Sequence, residues 1–236
     1  MSVMAIPKKG PVVAIDGPAG TGKSSVTKRL AEILGFVHVD TGALYRCVAL
    51  LAKRVGMGPE YDDELLTELA RKTHLEFRRR ADLNPANRVL VNGEDVTDFI
   101  RTPEVSMAAS RISAVPGVRA ALLGLQRTLG CAGPSILEGR DIGTVIFPDA
   151  DVKFFLTASV EERAKRRLSE LEAQGKDIPS YEEVKNQISQ RDRQDSERAV
   201  APLRRAQDAV EIDTSELTLD EVVDRMAQVI RERLGK

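Results

Sequence analysis

The sequence predicts a doubly wound α/β fold with a five-stranded parallel sheet, a small α+β insert and a short lid. Apolar runs that suit buried strands alternate with stretches of helical spacing over most of the chain. A glycine-rich loop joins the first run to the first helix, and the alternation is interrupted once, over residues 62–116. Because such a sheet binds ligands beyond the carboxyl ends of its strands, we look for chemistry there.

Five apolar runs are the expected strands of the sheet, and they span residues 12–16, 36–39, 135–138, 152–156 and 209–212. A Ser or Thr followed three residues later by Glu forms a capping box and predicts helix starts at Ser159, Ser180 and Thr218. Within the interruption, an alternating stretch precedes Asn92-Gly93, which predicts an antiparallel hairpin.

These patterns divide the chain into domains. We expect a core of residues 12–61 and 117–236, an insert of residues 62–116, and a flexible tail of residues 1–11. A polar connector between two predicted helices indicates a lid at about residues 168–184, within the core.

The loop at residues 17–24 fits the pattern G-x-x-x-x-G-K-[ST] of the phosphate-binding P-loop, so the core is expected to be that of a P-loop NTPase. Glycines let backbone N–H groups turn toward a polyphosphate. Lys23 can reach the β- and γ-phosphates, and the Ser24 hydroxyl can bind Mg²⁺. The residues expected to bind ATP with Mg²⁺ are Gly17, Pro18, Ala19, Gly20, Thr21, Gly22, Lys23, Ser24 and Ser25.

Composition argues against several classes of partner. A formal net charge of −1 disfavours a broad nucleic-acid surface, and an aromatic content of 4% without Trp disfavours stacking on single strands. No segment approaches the roughly 18 apolar residues of a membrane span, and residues 1–11 lack a signal-peptide run. Cys47 and Cys131 have no partners at metal spacing and are expected to be buried thiols. We therefore expect a cytoplasmic monomer that binds neither nucleic acid nor membrane.

Two further loops at the carboxyl ends of predicted strands contain arginines. The second strand leads into residues 40–46, which end in Arg46, and the third leads into residues 138–143, which include Arg140 and Asp141. Either loop alone is compatible with a helix cap or with a turn held by an Arg–Asp pair. Their convergence on the edge that holds the P-loop favours an anionic ligand.

The helix that begins after Ser180 has charges on its inward face. Ile188, Arg191, Asp195 and Arg198 follow spacings of three and four residues, so they share one side of the helix. Charges that face a core are costly unless they are paired. An Arg191–Asp195 pair on a partly exposed helix accounts for one arginine, whereas an anionic ligand would balance both.

Arg163 and Arg167 stand one turn apart on the helix that precedes the lid. They either close over the triphosphate or form a solvated basic face. His38 and His74 have no neighbours at metal spacing, and we assign them no catalytic role. A phosphate monoester, with a second pKa near about 6, is mostly a dianion at pH 7. Arginines with Mg²⁺ and no evident base therefore suit transfer to a phosphate.

Taken together, these motifs resemble those of the bacterial cytidylate kinases, which are nucleoside monophosphate kinases of the P-loop class. The likeness extends over nearly the whole chain and is most specific in EGRDIGTVIFPD at residues 138–149 and RDRQDSERAVAPL at residues 191–203. It implies in-line, Mg²⁺-assisted transfer of the ATP γ-phosphoryl group to CMP or dCMP, giving ADP and CDP or dCDP, without a general base. It also implies that the insert binds the nucleoside monophosphate (NMP).

Carried over position by position, the resemblance implies the roles of individual residues. The implied catalytic residues are Lys23, Arg140, Arg191 and Arg198. The implied CMP-binding residues are Thr41, Arg46, Ser110, Arg119, Arg140, Asp141, Arg191, Asp195 and Arg198. Within this set, Asp141 would accept the cytosine N4 amine and repel the O4 of uracil. At position 138 many relatives have Asp, whereas this chain has Glu138.

Other functions stay open at this point. The alternatives are a UMP/CMP kinase, another small-metabolite P-loop kinase such as shikimate kinase, and a nucleotide-dependent switch or sensor. Shikimate has no phosphate for a dense set of arginines, and a GTPase switch would contain N-K-x-D, which this sequence lacks.

Overall fold

A computed structural model describes residues 6–58, 60–79, 87–173 and 179–235. Its strands are β1 Val12–Asp16, β2 Val37–Asp40, β3 Leu75–Arg79, β4 Asn87–Val91, β5 Glu94–Asp95, β6 Ser135–Gly139, β7 Val152–Thr157 and β8 Val210–Asp213. Its α-helices are α1 Lys23–Leu34, α2 Thr41–Arg54, α3 Asp63–Lys72, α4 Pro103–Ile112, α5 Pro116–Cys131, α6 Val160–Ala173, α7 Tyr181–Glu197 and α8 Leu219–Leu234. A 3₁₀ turn, Phe99–Arg101, and a π-helical turn, Ile142–Ile146, complete the elements of the described residues.

The described residues form two compact units. The core unit comprises the described residues up to Asp40 and from Gln126 onward, and the second unit is Thr41–Leu125. The second unit contains the whole of the predicted insert and is longer than it at both ends. The reason is that α2 and the start of α5 share a buried apolar cluster with α4, to which Leu44 and Leu122 contribute.

The core unit contains a five-stranded sheet in the order β2-β6-β1-β7-β8, and every pairing is parallel. This confirms the predicted sheet and its five strands. β1 lies at the centre, and all of its residues are buried, as expected for a parallel strand with both faces covered. In the register, Glu138 of β6 lies opposite both Ile15 of β1 and Asp40 of β2. The ends of these three strands therefore meet at one edge.

One face of the sheet packs against α1 and α8. Ile15, Val26, Leu30 and Met226 belong to the same buried cluster on this face. Truncation of a side chain such as Leu30, which is fully buried, typically costs about 2–5 kcal/mol. The helix α1 ends at Gly35, whose φ of 67° is the left-handed value that a glycine at this position favours. Packing on this face holds the start of α1 beside the end of β1.

The capping boxes predicted at Ser180 and Thr218 are both present. Each hydroxyl accepts the backbone N–H of the glutamate three residues later, and that glutamate accepts the N–H of the cap. At Ser159 the hydroxyl accepts the N–H of Glu162 at 3.1 Å. These caps begin α7, α8 and α6 at the expected residues.

The second unit surrounds its own apolar cluster with α2, α3, α4 and the first part of α5. Its three-stranded sheet has the order β3-β4-β5 and is antiparallel. The predicted hairpin turn is confirmed, because Asn92 and Gly93 have φ values of 51° and 86° and form a two-residue loop of type I′ sign. Neither α4 nor the 3₁₀ turn before it was predicted from the sequence.

Parts of the predicted tail and lid can be located. In the tail, the Lys9 N–H donates to the Cys131 carbonyl at 3.1 Å, and the Pro11 carbonyl accepts the Ser135 N–H at 2.9 Å. Residues 9–11 therefore run along the core unit. Residues 174–178 of the predicted lid lie outside the described residues. Of the helices that the structure describes, none is both long and apolar enough to cross a membrane.

Candidate active site

The glycine loop lies between the end of β1 and the start of α1, as predicted. Gly17 has a φ of 147°, and a Cβ atom there would lie 2.1 Å from the carbonyl oxygen of Leu156 on β7. Only glycine allows the chain to pass this close to the neighbouring strand. Gly20 and Gly22 also have positive φ values, of 78° and 84°. The loop therefore has the backbone shape that turns N–H groups inward.

Lys23, the first residue of α1, is buried within this loop. Its ammonium group donates to the Pro18 carbonyl at 2.5 Å and lies 3.4 Å from the Thr21 hydroxyl. Burial, together with the positive charges of Arg140 and Arg191, holds the pKa of Lys23 well below its usual range. A ligand with several negative charges at this position would favour the protonated lysine and offset the repulsion.

Ser24 and Glu138 are hydrogen-bonded at the edge of the sheet. The Ser24 hydroxyl donates to Glu138 Oε2 at 2.7 Å, and the other carboxylate oxygen lies 2.8 Å from His38 Nε2. Because the hydroxyl proton points toward Glu138, the oxygen lone pairs remain available to a cation. In the described part of the chain, no group of three or more His, Cys, Asp or Glu residues is placed so that it could hold a metal ion. The donor set fits an ion such as Mg²⁺, which takes one hydroxyl ligand and completes its shell with phosphates and water.

Asp16 connects β1 to the π-helical turn that follows β6. Its carboxylate accepts the backbone N–H groups of Ile142 at 2.8 Å and Gly143 at 2.7 Å. Burial raises the pKa of Asp16 to about 6, although those two hydrogen bonds lower it. Asp16 was not among the site residues predicted from the sequence. A carboxylate at the end of a fully apolar strand was the available indication, because a buried acid requires donors.

Four predicted site residues come together from the loop after β6 and from the end of α7. Arg198 was predicted to lie on the inward face of this helix, but it follows the last helical residue and has a non-helical backbone. Arg140 Nε donates to Asp195 Oδ2 at 2.9 Å, and Arg198 Nη2 lies 3.5 Å from Asp141 Oδ1. Burial acts to raise the pKa of Asp195, but the charges of Arg140, Arg191 and Arg198 outweigh it, so the pKa is lowered. The inward charges of α7 are thus paired in part with the loop after β6, and not only within the helix.

The two arginines expected to act as a pair on α6 differ in their surroundings. Arg163 is buried, donates to the Ala19 carbonyl of the glycine loop at 3.1 Å, and pairs with Asp192 of α7 at 2.7 Å. Arg167 is half-buried and pairs with Glu170 on its own helix at 3.0 Å. Arg163 therefore contacts the P-loop directly, whereas the contact shown for Arg167 lies away from it.

The remaining predicted residues belong to the second unit. Thr41 begins α2, and Arg46 lies five residues further along that helix. Buried Arg119 donates to the Ser113 carbonyl at 3.1 Å, and the Ser113 hydroxyl donates to the Ser110 carbonyl at 2.7 Å. The Arg119 guanidinium also lies 5.7 Å from the centroid of the Tyr45 ring. The structure thus gathers Ser110 and Arg119 where α4 ends and α5 begins.

Comparisons with known proteins show which family the chain belongs to. The family model described as Cytidylate kinase matches residues 13–232. The chain is 54% identical over 226 residues to a cytidylate kinase of Geobacter sulfurreducens, covering 96% of this chain and 95% of that protein. It is 52% identical over 232 residues to one of Citrifermentans bemidjiense, covering 98% and 97%. A third relative, from Syntrophotalea carbinolica, is 50% identical over 94% of this chain and 92% of its own length. The chain belongs to the cytidylate kinase family.

Proposed function

We propose that this enzyme transfers the γ-phosphoryl group of ATP to CMP or dCMP, giving ADP and CDP or dCDP. The main observation in favour is electrostatic. Lys23 of the glycine loop lies near enough to Arg140 and Arg191 that their charges lower its pKa. So many cations in a buried region are costly unless a strongly anionic ligand joins them. Two nucleotides that present phosphates to one another would meet this requirement.

The donor nucleotide is assigned to the glycine loop. Backbone N–H groups of residues 17–25 other than Pro18, which has none, hold its phosphates, and Lys23 neutralises charge on the β- and γ-phosphates. Ser24 would hold Mg²⁺, which would offset the negative charge of the phosphates. Arg163 is already in contact with the loop at Ala19, so we assign it to the support of the donor phosphates. Arg167 is assigned to the same phosphates once its pair with Glu170 is released.

The acceptor nucleotide is assigned to the residues that were predicted to bind CMP. Thr41, Arg46 and Arg140 hold the CMP phosphate. Ser110, Arg119 and Asp141 bind the cytosine ring, Asp195 binds the sugar hydroxyls, and Arg191 and Arg198 neutralise the moving phosphoryl group. Asp141 and Asp195 accept hydrogen bonds as carboxylates, which suits an amine and a sugar hydroxyl as partners.

The chemistry follows from positioning and charge. An oxygen of the CMP phosphate attacks the γ-phosphorus of ATP as the bond to the ADP oxygen breaks, with the two oxygens in line. The acceptor phosphate is already mostly a dianion at neutral pH, so no residue has to remove a proton. Arg140, Arg191, Arg198 and Lys23 stabilise the charge on the transferring group. Electrostatic stabilisation by preorganised groups is usually the largest single contribution to catalysis.

A coupled ADP-release assay with CMP, dCMP, UMP, AMP and shikimate tests the proposal. We expect turnover with CMP and dCMP, at least tenfold lower kcat/KM with UMP, and no turnover with shikimate. Turnover should stop in EDTA and return when Mg²⁺ is added. Equal kcat/KM for UMP and CMP would overturn the assigned role of Asp141, and activity on shikimate alone would overturn the proposed function.

We further propose that the enzyme is a cytoplasmic monomer. Light scattering of the purified protein tests its oligomeric state.

A further inference from the structure

We infer that His38 is a positioning residue for the metal–nucleotide end of the site: it holds the Glu138 carboxylate, and Glu138 orients the hydroxyl of Ser24. The inference rests on the proposed function, in which Ser24 meets the metal that accompanies ATP. It gives a role to a histidine whose sequence context suggested none. His38 touches neither nucleotide in this scheme, so its effect passes through Glu138.

The sheet register places His38 and Glu138 on the same face of neighbouring strands. His38 lies opposite Ile136, and Glu138 is two residues further along β6, so both side chains point to the side of the sheet that α1 covers. His38 Nε2 lies 2.8 Å from Glu138 Oε1, and the two side chains are only 13% and 5% exposed. Little water can therefore compete for this contact, which keeps its full strength.

The second oxygen of the same carboxylate is used by Ser24. Oε2 accepts the Ser24 hydroxyl at 2.7 Å, whereas the Ser24 residue itself is exposed. A carboxylate only accepts hydrogen bonds, so the serine O–H and the histidine Nε2–H are both donors. The three side chains form a directional series in which His38 donates to Glu138, and Ser24 donates to the opposite oxygen.

This series has a consequence for metal binding. A free serine hydroxyl rotates among three positions, and in one of them its proton faces an incoming cation. With the proton directed to Glu138, the lone pairs face away from the carboxylate and are ready for the ion. The terminal torsion of a glutamate is broad, so an unheld carboxylate would define the serine less well. His38 restricts that torsion by occupying the other oxygen.

The competing explanation is that the His38–Glu138 contact only ties β2 to β6. The two explanations differ in what they predict for nucleotide binding. A structural tie would weaken binding of ADP equally with and without Mg²⁺, or would affect stability alone. A positioning role would weaken only the part of the binding that depends on the metal.

Titration calorimetry of the full-length protein with ADP, once in EDTA and once in excess Mg²⁺, separates them. The quantity compared is the ratio of the two dissociation constants. Mg²⁺ should tighten ADP binding less in His38→Leu than in the parent protein, so that the ratio of the dissociation constants in EDTA and in Mg²⁺ falls by about fivefold to tenfold, the effect of losing one hydrogen bond. The dissociation constant in EDTA should change by less than about twofold. His38→Gln retains an N–H donor, so it should recover at least half of the loss in that ratio, measured on a logarithmic scale. The control is His74→Leu, which replaces an exposed histidine just before β3 in the second unit and should change neither dissociation constant.

A double-mutant cycle tests whether His38 acts through Glu138. Glu138→Gln alone should reduce the Mg²⁺-dependent tightening, and adding His38→Leu should reduce it no further, because the intermediate group is already altered. Independent, additive effects in the cycle would overturn the inference. An unchanged ratio in His38→Leu, with a melting temperature near that of the parent protein, would overturn it as well.

These results are distinguishable from failure of the proposed function. If the parent protein does not phosphorylate CMP or dCMP, the substrate assignment is wrong, whatever the variants do. If the parent protein phosphorylates CMP and the Mg²⁺ ratio is the same in His38→Leu, the positioning role alone is wrong. A Ser24→Ala variant serves as the reference for full loss of the serine contribution to that ratio.

Discussion

Replacement of Arg140 by alanine is expected to lower both the rate and the stability, by different amounts. Arg140 Nε lies 2.9 Å from the Asp195 carboxylate, whose side chain is 4% exposed. Removing one member of a buried ion pair costs about 3–5 kcal/mol when the partner is left uncompensated. Here Arg191 and Arg198 still lower the pKa of Asp195, so part of the compensation survives. We therefore expect a loss of about 1–3 kcal/mol in the free energy of unfolding.

The expected effect on the rate is larger. In the proposed mechanism the Arg140 guanidinium binds the acceptor phosphate, where charge is rearranged in the transition state. Loss of one preorganised donor at such a position costs about 10²–10³ in rate. Loss of Arg140 should also relieve the repulsion that lowers the pKa of Lys23, so that pKa should rise in the variant.

The two effects are measured separately. Urea unfolding at pH 7 gives the stability, and ADP release with CMP, well below the unfolding transition, gives kcat/KM. Arg54→Ala is the matched control, because Arg54 forms an exposed pair with Glu94 at 2.6 Å in the second unit and is assigned no role. Its removal should cost less than about 1 kcal/mol and leave kcat/KM unchanged. A folded Arg140→Ala enzyme within threefold of the parent kcat/KM would refute the role of Arg140 in catalysis, and an unchanged free energy of unfolding would refute a stabilising pair with Asp195.

Three further predictions concern the loop and its neighbours. Gly17→Ala should lower the free energy of unfolding by about 4 kcal/mol or more, because its Cβ would overlap the Leu156 carbonyl. A Cβ atom at Gly22 would have no neighbour within 4 Å, so Gly22→Ala should lower the free energy of unfolding by only about 1–2 kcal/mol, the cost of an alanine in the left-handed conformation. Equal losses for the two variants in urea unfolding would contradict this explanation. Because the folded-state pKa of Asp16 is about 6 and its ordinary value is 3.8, ionisation favours the unfolded chain. As the pH rises from about 4 to 7, the free energy of unfolding of the parent protein should therefore fall by up to about 3 kcal/mol relative to that of Asp16→Asn. A difference in unfolding free energy that stays constant across this range would be inconsistent with the raised pKa. Asp141→Asn should lower the preference for CMP over UMP, as a ratio of kcat/KM, by about tenfold or more; an unchanged ratio would assign base selection to other residues.

Regular patterns in the sequence were sufficient for most of the fold. Five apolar runs became the five strands of the parallel sheet. The runs of β1 and β6 are buried throughout, as expected for inner parallel strands, whereas β2 and β8 lie at the edges and are only partly buried. The hairpin turn at Asn92-Gly93 was predicted by local backbone preference, which depends on few neighbours. The 3₁₀ turn, α4 and the π-helical turn were not identified. The π-helical turn is held by a distant group, the carboxylate of Asp16, which leaves no local periodicity to detect.

The candidate site was predictable in its composition but not in its contacts. The glycine loop with Lys23 and Ser24 follows a pattern whose chemistry is local, so it was found directly. Arg163 and Arg167 lie one turn apart on α6, yet their contacts among the described residues differ: Arg163 donates to Ala19 of the loop, and Arg167 pairs with Glu170 of its own helix. That difference arises from the packing of α6 against its neighbours.

The sequence by itself determined the parallel sheet, the glycine loop and the supply of arginines, because these depend on short-range patterns of polarity and backbone freedom. The tertiary structure alone decided which polar groups meet: Asp195 with Arg140, Arg163 with the loop at Ala19, and His38 with Glu138. Residues 100 positions apart make the last contact. No local rule encodes it, because strand order and register choose the partners of side chains at a sheet edge.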